Sequence, residues 1–266
     1  MTEPFGTRLR ARLDKYGPLC VGLDPSPALL HAWGLDDSPA GLERFSRTVA
    51  DAVGDVAAVV KPQPAFFERW GSRGFAVLES VLADLRQAGP LVVLDAGRGD
   101  TGATMAAYAE AYLDHGSPLA ADAVTLSPYF GFGALEGAIT SAVANDAGVF
   151  VLTRAGGPEA FREPLAARVL AGVEAANAGR TPFGPVGVVL GGVPGSGLLD
   201  RLNGPVLVPG VGGPRGLSPA DLARLFPSVR HAVVPAVSGA VLADPARVRE
   251  LTLRHRDECA RHLSGP

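Results

Sequence analysis

Lysine is almost missing from this chain. Lys15 and Lys61 are the only two among 266 residues, and arginine supplies the rest of the positive charge. Cysteine is equally scarce, with Cys20 and Cys259 alone. Two cysteines cannot build a disulfide framework, and no Cys-x-x-Cys or Cys/His cluster offers zinc a ligand set, so no metal is expected. Incidental thiols in a reducing cytoplasm are the expectation. No apolar run approaches the roughly 20 residues of a membrane span. The opening stretch, MTEPFGTRLRARLDKYG, carries acids and lacks an apolar segment, so no signal peptide is expected. The formal net charge is -3, with no basic stripe, which gives neither nucleic acid nor an anionic membrane an electrostatic reason to bind.

What the chain has is apolar material in short, repeated runs. These are Leu19–Leu23, Val56–Val60, Leu91–Leu94, Ala123–Leu126, Val149–Leu152, Val186–Leu190, Val206–Val208 and Ala232–Val234. Each is nearly continuous rather than alternating, as strands covered on both faces require. Between them lie amphipathic stretches, among them Gly41–Val53, Phe75–Gln87, Thr104–Asp114, Leu165–Asn177 and Pro219–Leu225, and Pro245–Leu263 closes the chain. Ser218-Pro219 reads as a helix start, with Ser as N-cap and Pro at N1. Eight strands alternating with helices predict a single-domain α/β protein, a (β/α)₈ TIM barrel over residues 1–266. A doubly wound sheet is the alternative, though it more often uses fewer strands.

Barrel active sites lie at the C-terminal ends of the strands. Asp24 follows the first run, Lys61 the second, Asp95 and Asp100 the third, and Ser127 the fourth. A lone Asp after a strand is usually a turn or cap residue. Asp24, Lys61 and Asp95 at three successive strand ends must share one small space, which favours a functional reading. After the seventh run, Gly210–Gly216 includes Gly212, Gly213 and Arg215. Such a loop can present backbone N–H groups to a phosphate, and barrels often bind phosphate there. An ordinary tight turn is the bland alternative, and Arg215 reads equally well as a solvated surface residue.

The segments VGLDPSP, VVKPQPAFFERWGSRGFAVLES, LDAGRGDTGATMAAYA, LSPYFGFGAL and LVPGVGG resemble the orotidine 5′-phosphate decarboxylase family, from about Leu19 to Val237 and in the right order. The resemblance implies a cofactor-free homodimer that turns a phosphorylated small molecule, orotidine monophosphate, into UMP and CO₂. It implies that Lys61 and Asp95 open a Lys-Asp-Lys-Asp array, that Asp100 with Thr101 beside it serves the partner subunit's site, and that Asp24 binds ribose hydroxyls.

The sequence also departs from the family pattern. The second lysine, within the family's D-x-K-x-x-D, delivers a proton to the carbon that loses CO₂; the matching position here is Gly97. The family's Arg-Thr-Ser-Asn-Pro is Arg154-Ala155-Gly156-Gly157-Pro158, its Gly-Ala-Gln-Gly-Gly is Gly212-Gly213-Pro214-Arg215-Gly216, and its Ser-Arg after strand eight is Ser238-Gly239. These departures set the main expectation: a diverged enzyme on a nucleotide-like or sugar-phosphate-like ligand. With one lysine facing two aspartates, such a site would protonate a carboxyl, admit a metal, or take a cationic ligand. Two alternatives stand beside it: a genuine orotidine 5′-phosphate decarboxylase, and a non-catalytic binding barrel.

Overall fold

The computed structural model describes residues 3–154, 163–191, 199–213 and 216–263. Eight parallel strands close into a barrel in sequence order: β1 (Cys20–Leu23), β2 (Val59–Pro62), β3 (Leu91–Arg98), β4 (Ala123–Leu126), β5 (Gly148–Arg154), β6 (Val186–Leu190), β7 (Val206–Val208) and β8 (Val233–Val237), with β8 pairing back to β1. This is the predicted (β/α)₈ barrel. The continuous apolar runs are explained by burial: every residue of β1, β2, β4, β6, β7 and β8 is buried. No helix among the described residues is long and apolar enough to cross a membrane.

The surrounding helices are α1 (Phe5–Tyr16), α2 (Pro27–Ala32), α3 (Pro39–Val53), α4 (Ala65–Glu68), α5 (Ser72–Ala88), α6 (Gly102–Leu113), α7 (Glu136–Ala144), α8 (Glu163–Asn177), α9 (Pro219–Leu225), α10 (Gly239–Leu242) and α11 (Val248–Leu263). Ser218 caps α9 as expected. Its hydroxyl accepts the Asp221 N–H (3.2 Å) while the Asp221 carboxylate accepts the Ser218 N–H (3.1 Å), a reciprocal capping box behind Pro219.

Two departures from the apolar pattern bear on the site. β2 occupies Val59–Pro62 rather than Val56–Val60, because Val56–Ala58 are buried in the turn from α3 and not in the ladder. Lys61 therefore belongs to the strand itself, paired in register with Gly22. β3 runs past its apolar stretch to Arg98, and its register against β4 shifts between Leu94 and Arg98. Such a bulge kinks a strand and re-aims its side chains.

Helix α1 closes the opposite end of the barrel. Phe5, Leu9 and Leu13 recur at helical spacing and are buried. The Phe5 ring meets Phe150 of β5 edge-on at 6.1 Å. Gly148 makes room for it, since a Cβ there would stand 2.3 Å from Phe5 Cδ1. Arg8 pairs with Asp122 and donates to Asp146 O (2.9 Å), and Asp122 also accepts the Val92 N–H (2.8 Å). Both cysteines are free and buried.

Candidate active site

The C-terminal mouth of the barrel gathers the charged residues that the strand ends predict. Lys61 is nearly enclosed, and its Nζ lies 2.5 Å from Asp95 Oδ2. Gln63 Oε1 is a second, longer acceptor at 3.3 Å. Asp24 stands close enough for its charge to act on Lys61, and its Oδ1 is buried without a hydrogen-bond partner. Gly22, the register partner of Lys61, clears this corner: a Cβ on it would fall 2.9 Å from Ser238 Cβ and 3.0 Å from Asp24 Oδ2. Burial pushes the Lys61 ammonium down. The charges of Asp95 and Asp24 and the Asp95 hydrogen bond outweigh that, so its pKa stands above the ordinary lysine value. Cys20 lies beneath, where burial pushes its thiol up to about 12.

The other candidates occupy distinct places. Asp100 is half-buried at the start of α6, where its Oδ1 accepts the Thr101 N–H (2.7 Å), and Thr101 is exposed. Neither is among the described residues that hydrogen-bond or ion-pair with Lys61 or Asp95. Ser127 is half-buried, and its N–H donates to Arg98 O (2.7 Å). Gly99 lets these strands approach, since a Cβ there would be 2.4 Å from Ser127 O. In the strand-seven loop, the N–H of Gly212 donates to Leu217 O (3.0 Å) and that of Gly216 to Gly213 O (2.9 Å). Those two donors are spent within the loop, which narrows what it can offer an anion. His255 of α11 backs the loop; a Cβ on Gly212 would be 3.1 Å from its Cε1. Arg215 lies outside the described residues, as do residues 155–158 and Pro214.

Gly97 carries φ +57, and a Cβ placed on it would meet only Leu152 Cδ1, at 3.8 Å. Gly239 likewise has nothing within 4 Å of such a Cβ. No neighbouring side chain among the described residues has moved in to fill these two positions. Arg98 does not stand in for a lysine at 97. It turns outward, pairs with Glu68 of α4 and lies over the Tyr108 ring of α6 at 5.7 Å. Among the described residues, no group of three or more His, Cys, Asp or Glu could hold a metal ion.

Sequence reasoning passed over Gln63 and Thr125. Gln63 had a signal, being two residues after Lys61. Thr125 had little, since it is one hydroxyl inside an apolar run. It is fully buried, donates to Asp95 Oδ1 (2.8 Å) and accepts the Gly97 N–H (2.9 Å).

A closed parallel barrel with an enclosed lysine paired to a half-buried aspartate at its mouth has the architecture of the barrel-enzyme class, in which small-molecule sites lie at the strand C-termini. The family model described as "Orotidine 5'-phosphate decarboxylase / HUMPS family" matches residues 17–252. A Streptomyces coelicolor protein named orotidine 5′-phosphate decarboxylase is 51% identical over 251 residues, covering 90% of each chain. A Salinispora arenicola protein of the same name is 50% identical, covering 99% of each. Among solved structures, a Streptomyces avermitilis chain provisionally assigned to that enzyme superposes with a TM-score of 0.93 at 48% identity, covering 99% of this chain and 97% of its own. The Leishmania donovani OMP decarboxylase superposes with a TM-score of 0.74 at 26% identity, covering 99% and 100%. The chain belongs to the orotidine 5′-phosphate decarboxylase family.

Proposed function

We propose that the protein binds orotidine 5′-monophosphate at this mouth and decarboxylates it to UMP and CO₂. Similarity over essentially the whole chain to proteins named for that reaction favours this over the diverged enzyme that the departures alone suggest. The observation that carries it is the enclosed Lys61 ammonium, paired with Asp95 and flanked by Asp24. In the reaction the bond from the pyrimidine ring to the carboxylate carbon breaks, CO₂ departs, and the electron pair left on the ring carbon takes up a proton. A fixed ammonium at that carbon stabilises the developing charge without reorganisation. Position 97 has no side chain to supply the proton, and Lys15 lies on α1 at the far end of the barrel. Lys61, or a water it orders, is therefore the donor in this reading.

Gly97 is also the observation that favours a second reading: a nucleotide-binding barrel whose chemistry has moved to a different nucleotide-like substrate. Loss of a general acid lowers a rate by about 10²–10⁴.

The subunit arrangement belongs to the same proposal. Helix α6 exposes Ala103, Ala106 and Ala107, and the adjoining corner exposes Tyr129 (76%) and Phe130 (54%). A second copy packed on that face would cover this apolar surface and bring Asp100 and Thr101 to the neighbouring mouth.

Turnover of orotidine monophosphate by the wild type and by Gly97→Lys, with UMP binding measured alongside, separates the readings. Wild-type turnover supports the first. A wild type that binds UMP without turnover supports the second, and a gain of turnover with Gly97→Lys would show that only the acid was lost. Absence of nucleotide binding overturns both and leaves a non-catalytic barrel.

A further inference from the structure

Three strands supply the charged residues of the mouth, and a fourth holds one of them, Asp95, from inside the barrel wall. Thr125 sits within β4 between Val124 and Leu126, fully buried. Its hydroxyl has two partners of opposite kind. Gly97 N–H can only donate to it and the Asp95 carboxylate can only accept from it, so the hydroxyl proton points at Asp95 Oδ1. Both bonds fall at the bulge where the β3–β4 register shifts. There the Thr125 side chain gives the Gly97 N–H an acceptor. With Oδ1 held from β4, Asp95 presents Oδ2 to Lys61 on the other side, at 2.5 Å.

We propose that Thr125 is a positioning residue of the active site: its hydroxyl sets the Asp95 carboxylate against Lys61 and anchors the backbone of residue 97. The inference rests on reading Lys61 and Asp95 as site residues. A merely structural threonine would satisfy two polar groups at a bulge, and its loss would lower stability without altering how Lys61 is held.

The scarcity of lysine makes the test clean. Reductive methylation reacts with the neutral amine, and Lys15, exposed on α1, serves as an internal standard for Lys61. The ratio of Lys61 to Lys15 labelling in the folded protein at mildly alkaline pH is read by peptide mass spectrometry. We expect Thr125→Val and Thr125→Ala to raise that ratio several-fold and Thr125→Ser to keep the wild-type value. The Kd for UMP should weaken several-fold in the first two variants and not in the third. Should the valine variant not fold, alanine against serine still isolates the hydroxyl, because the two differ in that group alone. Asp122→Ala, which removes contacts at the opposite end of the barrel, controls for lost stability and should leave the ratio unchanged. An unchanged ratio in folded Thr125→Ala, or a rise in Thr125→Ser equal to that in alanine, overturns the proposal. If UMP does not bind the wild type, the nucleotide reading fails while the labelling ratio still decides the role of Thr125.

Discussion

Lys61 and Asp95 meet at 2.5 Å across the β2–β3 junction, and the lysine is the more deeply enclosed, with its side chain 8% exposed against 24%. Removing one member of a buried pair leaves the other uncompensated, at a cost of about 3–5 kcal/mol. Lys61→Met, which leaves Asp95 and Asp24 facing each other, should lose about 3 kcal/mol in urea unfolding. Asp95→Asn keeps an acceptor for Thr125 and leaves Asp24 to balance Lys61, so it should lose less. The pH dependence follows from the raised lysine pKa. The folded state holds this proton more tightly than the unfolded chain. The stabilisation is thus complete below the ordinary lysine value and is lost as pH rises through the folded one. The stability gap between wild type and Lys61→Met should stay constant from pH 6 to about 9 and narrow above about 10.5. A gap that narrows near neutrality would show that Lys61 is not held as an ammonium.

Gly97 and Gly99 differ in why they are glycine, and alanine tells them apart. Gly97 has φ +57 but open space around its Cβ position. Gly97→Ala should therefore lose only about 1 kcal/mol, the cost of a left-handed backbone for an L-residue. Gly99 has no positive φ, yet its Cβ would lie 2.4 Å from Ser127 O, a backbone atom with nowhere to go. Gly99→Ala should lose about 2–3 kcal/mol and loosen the β3–β4 junction. Thermal melts of the two variants should show the larger fall for Gly99→Ala, and the reverse order would contradict the geometry. Gly97→Lys carries only the strain of Gly97→Ala, so it should fold and serve as a test of function.

The barrel was legible because six of the eight strands are buried along their whole length, which makes their sequences continuously apolar. The limits of that signal are equally physical. Val56–Ala58 are apolar because they line a buried turn, so the pattern placed β2 too early and put Lys61 beyond the strand that in fact contains it. Helix α1 went unread, although Phe5, Leu9 and Leu13 carry the helical spacing. Charged residues at strand ends announced Asp24, Lys61 and Asp95, since a charge after an apolar run is hard to bury without a purpose. Thr125 gave no such announcement. Its importance lies in two hydrogen-bond partners on another strand, and pairing across strands is not written along one.

At the closed end of the barrel, Asp122 does double duty without touching the mouth. One carboxylate oxygen pairs with Arg8 of α1 and the other accepts the Val92 N–H of β3 (2.8 Å). Both side chains are about one-fifth exposed, so the pair is partly shielded from water. Asp122→Ala removes the charge-assisted bond and strands a backbone donor, which should cost about 2–3 kcal/mol. Substrate binding should not change, because nothing at the strand C-termini moves. A loss of nucleotide affinity matching that of a mouth variant would mean that α1 governs the site from below.

The two cysteines should be silent until the barrel opens. Burial pushes both thiols up to about 12, Cys20 in the barrel wall and Cys259 on α11. The thiolate is the reactive species, and little of it exists at pH 8 in either place. Native protein should therefore show no fast reaction with a disulfide reagent at pH 8, and two thiols should appear together on unfolding in urea. The linkage has the same sign as that of Lys61: folded thiols keep their protons above the ordinary thiol pKa, so stability falls as pH rises from about 9 towards 12. Cys20→Ser would place a hydroxyl in an apolar wall and should cost about 1–3 kcal/mol, whereas Cys20→Ala should cost less despite removing more atoms. Fast labelling of one thiol in the native state would locate a local opening, and labelling of Cys20 in particular would place it at β1, beneath Asp24 and Lys61.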